Sequence, residues 1–110
     1  MKMKELSKAE EMVLLAICRL EDAAYGVSIR RQIRKDTDKN YTYGTLYGLL
    51  RQMGRKGYIQ KIKSEPLPQK GGRSKTYFKL TPTGVQALKD SILLHNRMWK
   101  GISEISFDKS

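Results

Sequence analysis

Apolar positions along the chain fall into four stretches of helical spacing, with two short stretches of strand character between the third and fourth. In the first, Ala9, Met12, Val13, Ala16, Ile17 and Leu20 recur by three and four and predict a helix over 8–20. Ser7-Lys8-Ala9-Glu10 stands before it with the form of a capping box, in which Ser7 bonds an orphan amide and Glu10 reaches back. Cys18 lies beside this stripe and is expected to be a small buried hydrophobe. Ala24-Tyr25-Gly26 breaks the pattern, and a second helix follows over 26–36 with Val27, Ile29 and Ile33 inward. Its polar side carries Arg30, Arg31, Arg34 and Lys35, and Asp36 to Asn40 form a polar turn.

Thr42 is positioned to cap a third helix over 43–56, whose Leu46, Leu49, Leu50 and Met53 share one buried face. At about 100° per residue, Gly44, Thr45, Gly48, Arg51, Gln52 and Arg55 fall on the opposite side, flanked by Tyr43 and Tyr47. That outer face is small at its N-terminal half and basic further on. A helix-interior glycine costs up to about 1 kcal/mol against alanine, so Gly44 and Gly48 suggest close approach of a partner. Gly57 is suited to end the helix in the left-handed conformation.

Residues 58–63 and 76–80 read as the strands of a hairpin. Between them, Pro66, Pro68, Gly71 and Gly72 predict a long exposed loop that carries Lys70, Arg73 and Lys75 against the single acid Glu65. Its Gly71-Gly72-Arg73-Ser74-Lys75 lacks the glycine spacing of a nucleotide-binding phosphate loop. Thr81-Pro82 then opens a last helix, an N-cap followed by proline at the first helical position. Val85, Leu88, Ile92, His95, Trp99 and Ile102 alternate by three and four along it, with Leu94 and Met98 widening the stripe. That stripe is too short for a free coiled coil and adequate for a dimer seam. Gly101 is placed to end it early.

Charge sharpens this picture. Lysine and arginine total 22 against 11 acids, a net charge of +11 over 110 residues. Residues 28–80 hold 14 of those bases and 3 of the acids, so the excess belongs to the second and third helices and the hairpin. A concentrated excess of this sign points to a polyanion, with nucleic acid first. Hydrophobic residues at 39% and charged residues at 30% are an ordinary globular balance. The length suits one domain, expected as a single unit over 1–110: a helical core and hairpin over 7–80 and a C-terminal dimerisation helix over 81–105.

Other classes find little support. No run approaches the ~18 apolar residues of a membrane span, and the N-terminus lacks a signal-peptide core. The expected location is the cytoplasm, with no membrane partner. Cys18 and His95, the only cysteine and histidine, are far apart and offer no metal-ligand spacing. No carboxylate pair shares an evident cleft, so no enzymatic activity, metal or cofactor is expected. The order helix, helix, helix, hairpin, helix is that of a winged helix-turn-helix, mainly α with a small β-hairpin wing.

Three separated motifs resemble the PadR family. Tyr43-Gly44-Thr45-Leu46-Tyr47-Gly48-Leu49-Leu50-Arg51-Gln52-Met53 is similar to that family's Gly-Thr-Leu-Tyr-Pro-x-Leu-x-x-Leu core. Gly71 to Gly84 resembles its wing and the turn into the last helix, and Leu15 to Ile29, with Tyr25-Gly26-Val27, resembles its first helix junction. The resemblance covers about residues 7–90; Gly48 departs from it, standing where the family usually has proline. It implies a homodimeric, DNA-binding transcriptional regulator, usually a repressor, acting on a palindromic operator in double-stranded DNA. By matched position Tyr43, Thr45 and Tyr47 face DNA from the third helix, and Arg73 and Lys75 from the wing. Arg51 and Arg55 on the helix and Lys70 on the wing join them on charge. The dimer interface expected is Leu88, Ile92, His95, Trp99 and Ile102. In some relatives the paired last helices line a pore for planar apolar molecules, which makes Trp99 and Met98 candidate contacts for a small aromatic inducer. The competing reading is a winged helix that binds nucleic acid without sequence choice, or a protein partner.

Overall fold

The computed structural model describes residues 5–63 and 75–102. Helix α1 (Lys8–Leu20) is followed by a single 3-10 turn (Glu21–Ala23), α2 (Gly26–Thr37), α3 (Tyr43–Arg55), strands β1 (Ile59–Lys63) and β2 (Thr76–Leu80), and α4 (Pro82–Trp99). The caps written in the sequence set these limits. Ser7 Oγ accepts the Glu10 amide and Glu10 Oε1 accepts the Ser7 amide, a complete capping box. Thr42 Oγ1 accepts the Thr45 amide, and Thr81 Oγ1 accepts the Gly84 amide with Pro82 at the first helical position. Asp38 ends α2 at φ 63°, and Gly57 follows α3 at φ 79°.

The core is small. Val13, Leu14, Ala16 and Ile17 of α1 pack with Ile29 and Ile33 of α2, with Leu46, Leu50 and Met53 of α3, and with Tyr58, Ile59 and Phe78 of the hairpin. The strands pair antiparallel, with Ile59 opposite Leu80, Lys61 opposite Phe78 and Lys63 opposite Thr76. The Phe78 amide also donates to the Ala24 carbonyl at 2.8 Å, so β2 is held against the segment that enters α2. The arrangement is a winged helix: three helices, a hairpin and a trailing helix.

Two expectations about burial are corrected. Val27 is exposed rather than inward, because at the second position of α2 it precedes the turn whose Ile29 and Ile33 meet the core. Cys18 is exposed too, beside Glu21, Asp22 and Lys79, since α1 packs through Ile17 and leaves the next residue outside. The first helix and second strand have the expected limits, the second and third helices and first strand differ by one residue at one end, and the last helix stops at Trp99 rather than 105, so Ile102 follows the turn at Gly101 (φ 83°).

One carboxylate sits inside. The Glu10 side chain is 3% exposed and receives Lys56 Nζ at 2.7 Å and Gln52 Nε2 at 3.1 Å. Gln52 therefore belongs to the interior contact of α3 rather than to its outer face, where helical spacing alone placed it. Burial pushes the Glu10 carboxyl up; the Lys56 hydrogen bond, the Ser7 amide and the Lys56 charge outweigh it and hold the group below its ordinary 4.5. Its folded value is the depressed one. The stability it contributes is therefore complete above about 4.5 and lost as pH falls through the folded value. Glu10→Gln removes this acid sensitivity and turns an amide toward two donors. It is expected to lower stability at pH 7 by about 2 kcal/mol, and thermal melts of both proteins from pH 7 to pH 3 should converge.

Just past Lys56, α4 begins against the end of α3. The Thr81 amide donates to the Tyr58 carbonyl at 3.0 Å, and its hydroxyl donates to the Gly57 carbonyl. A side chain at Gly84 would collide with that same Tyr58 carbonyl, a backbone atom that cannot swing aside. By contrast, nothing lies within 4 Å of a β-carbon at Gly48. Gly84→Ala should destabilise by about 1–3 kcal/mol through overpacking. Gly48→Ala should stabilise by up to about 1 kcal/mol through helix propensity, and paired denaturant titrations read both signs.

Candidate nucleic-acid interface

Helix α3 owes its position to Leu46, Leu50 and Met53, which sink into the core. That leaves Tyr43, Gly44, Thr45, Tyr47, Arg51 and Arg55 exposed. Arg51 and Arg55 take part in neither ion pair among the described residues; those pairs are Arg19–Asp36 and Lys56–Glu10. The open space at Gly48 leaves bare helix backbone between Tyr47 and Arg51. The helix runs unbroken through this position.

The tyrosines are held rather than loose. Tyr43 and Tyr47 lie one turn apart with ring centroids 6.3 Å apart. The Tyr47 hydroxyl lies where a side chain at Gly26 would be, so the absence of one gives the Tyr47 ring its place against the start of α2. Arg30 accounts for Tyr43. Its Nε donates to the Tyr41 carbonyl at 2.7 Å, its Nη2 to Asn40 Oδ1 at 2.8 Å, and its guanidinium lies 4.8 Å from the Tyr43 ring centroid. This arginine, which charge alone adds to the basic face, organises the turn between α2 and α3. No periodicity signals that role; the polar Asn40-Tyr41-Thr42 turn eleven residues on is its only trace in the sequence.

The hairpin approaches the same side. Lys75 Nζ stands 4.4 Å from the Tyr25 ring centroid, and Tyr25 packs edge-on against Tyr77 at 5.7 Å. Lys70 and Arg73 lie outside the described residues. A cleft of about 640 Å³ separates the hairpin from α3, walled by Tyr25, Tyr47, Arg51, Lys61, Lys75 and Phe78.

The far end of the molecule differs in kind. After Gly84 and Ala87, α4 leaves the body, and Ile92, Met98 and Trp99 are 59%, 73% and 55% exposed. Leu88 still touches the core, while Val85, Leu93, Leu94 and His95 face outward. Glu11 of α1 accepts a hydrogen bond from Ser91 and ties the two helices. Beside that bond runs a largely apolar groove of about 370 Å³ lined by Leu15, Leu88, Ile92 and His95. Leu15 was not among the residues expected here; its signal is an apolar side chain standing off the inward stripe of α1.

Among the described residues no cluster of histidine, cysteine and carboxylates could hold a metal, and no helix is long and apolar enough to cross a membrane.

A helix-turn-helix with an exposed basic third helix and an adjoining hairpin defines the winged-helix class. The family model for the PadR-like transcriptional regulators matches residues 14–90. The chain belongs to that family, and is a regulator of transcription rather than an enzyme. Solved structures agree on the fold. A transcriptional regulator from Clostridium thermocellum is 26% identical, with 84% of this chain and 87% of that one covered and a TM-score of 0.65. A PadR-like regulator from Bacillus cereus is 20% identical over 91% and 88% (TM-score 0.66), and a PadR-family regulator from Clostridium difficile is 24% identical over 90% and 95% (TM-score 0.64). No curated protein matches the chain.

Proposed function

We propose that this regulator is a cytoplasmic homodimer that represses transcription by binding a two-fold operator in double-stranded DNA. Helix α3 enters the major groove, with Tyr43, Thr45 and Tyr47 at the leading end and Arg51 and Arg55 further along. The wing, with Lys70, Arg73 and Lys75, follows the adjacent backbone. Each neutralised phosphate releases counterions, so binding weakens steeply with salt. Pairing of two copies through α4 sets two α3 helices about one DNA turn, roughly 34–36 Å, apart.

The observation that carries this reading is the separation of surfaces. Arginines with no ion pair among the described residues occupy α3, and an apolar face of about three turns stands exposed on α4. Contiguous apolar surface of this kind marks an interaction site, and the heptad through Leu88, Ile92, His95 and Trp99 suits a second copy of α4. Ile102, beyond the helix, joins that face only from the turn. Trp99 and Met98, the largest exposed apolar groups near its end, are the contacts for a small aromatic inducer.

Placing a charge in the seam tests the dimer and the DNA reading together. Ile92→Glu is expected to sediment as a monomer at micromolar concentration while the wild type sediments as a dimer. Its affinity for duplex DNA should fall at least tenfold, as one reading head replaces two. A wild-type monomer, or a monomeric variant with undiminished affinity, contradicts the proposal.

A further inference from the structure

The inward face of the hairpin changes character halfway along β1. Side chains alternate along a strand, and residues directly opposite in an antiparallel pair share a face. Ile59, Lys61 and Lys63 therefore share a face with Leu80, Phe78 and Thr76. Ile59 and Phe78 are core residues, which marks this face as the inward one. At the next inward position a covered strand would carry another apolar residue; this one carries Lys61, exposed. It lies on the other face of the sheet from Lys79, which stands beside Glu21 and Asp22. Lys61 lines the 640 Å³ cleft opposite α3, and also the adjoining hollow of about 310 Å³ along the same helix.

Arg51 lines both spaces as well, Lys75 the first and Arg55 the second. No carboxylate lines either among the described residues. Arg51 and Lys61 thus face each other across both hollows, with Arg55 beside them in the second. Phosphate answers such a set, since guanidinium pairs with it bidentately and ammonium meets it as a point charge. A single free ion would fill only a small part of the 640 Å³ space, which leaves room for more than one phosphate between helix and hairpin.

We propose that this cleft seats a stretch of DNA backbone, and that Lys61 on the inward face of β1 is a phosphate contact acting opposite Arg51. The inference rests on the DNA-binding reading above and deepens it. It adds a residue that charge on the helix and wing tip alone does not single out. It also assigns Arg51 to the backbone, which leaves base reading to the first turns of α3.

The test compares Lys61→Gln with Lys79→Gln, a strand lysine on the opposite face beside Glu21 and Asp22. Affinity for operator and for random-sequence duplex is measured between 50 and 300 mM salt, with thermal melts confirming that both variants fold. Loss of one phosphate contact lowers the log–log salt slope by about 0.9 and affinity near 0.15 M by about fivefold. Lys61→Gln is expected to show both, equally on the two duplexes, with recovery in Lys61→Arg; Lys79→Gln should show much less. If Lys61→Gln matches Lys79→Gln while the wild type binds DNA normally, the cleft assignment is overturned and the DNA-binding reading stands. If the wild type binds no duplex even at 50 mM salt, both fall. An orthophosphate titration of the free protein at constant ionic strength, followed by the Lys61 amide resonance, separates the sources of phosphate. Saturation at millimolar phosphate combined with an unchanged DNA affinity in Lys61→Gln would make this a small-anion site and overturn the proposal.

Discussion

The carbonyl of Tyr58 is where three elements meet, and the direction of each depends on the others. Gly57, at positive φ, turns the chain out of α3 so that Tyr58 is buried and β1 can begin. The returning strand delivers Thr81 to that carbonyl, and Thr81 caps α4 in the same stroke. Gly84 then lies flush against it, where any side chain would force the helix away. Helix α4 is thereby set by its first turn, with Ala87 and Leu88 completing the anchorage. An 18-residue helix is about 27 Å long, and the core has no surface left for its second half. The uncovered apolar face follows from this junction rather than from a lack of order in the helix.

A second junction is made by α1. Glu10 and Glu11 are adjacent on α1 but point to different neighbours. Glu10 holds Lys56 and Gln52 at the end of α3, and Glu11 holds Ser91 of α4. One turn of α1 thus binds both α3 and α4. Burying a carboxylate is costly unless it is hydrogen-bonded and paired, and Glu10 meets that condition through its capping box and Lys56 together.

Much of this was legible in the sequence because helix ends are encoded locally. Ser7, Thr42, Thr81-Pro82 and Gly57 each act on amides or carbonyls within a few residues, so the limits of α1 and α3 and the start of α4 could be placed closely, while the end of α4 falls six residues short of the expected 105. Long-range contacts are different. The 100° step puts Gln52 outside, and only the fold reveals that Glu10, forty-two residues earlier, draws it in. Val27 and Cys18 are apolar enough to be core and lie just off the faces that α2 and α1 bury. Arg30 looks like any other base of α2 until its bonds to Asn40 and Tyr41 are seen. Lys61 reads as an unremarkable strand lysine until the pairing register shows which face it shares with Phe78. The basic tip at Lys70 and Arg73 was evident from composition and lies outside the described residues.

The proposal that basic α3 helices, paired through α4, choose their DNA sequence is open to one decisive measurement: selection of bound fragments from a genomic DNA library at near-physiological salt, followed by sequencing. The expected result is enrichment of a two-fold motif whose half-sites lie about one helical turn apart. Retention of DNA with no enriched motif would contradict it, showing a charge that finds phosphates and a helix that does not read bases.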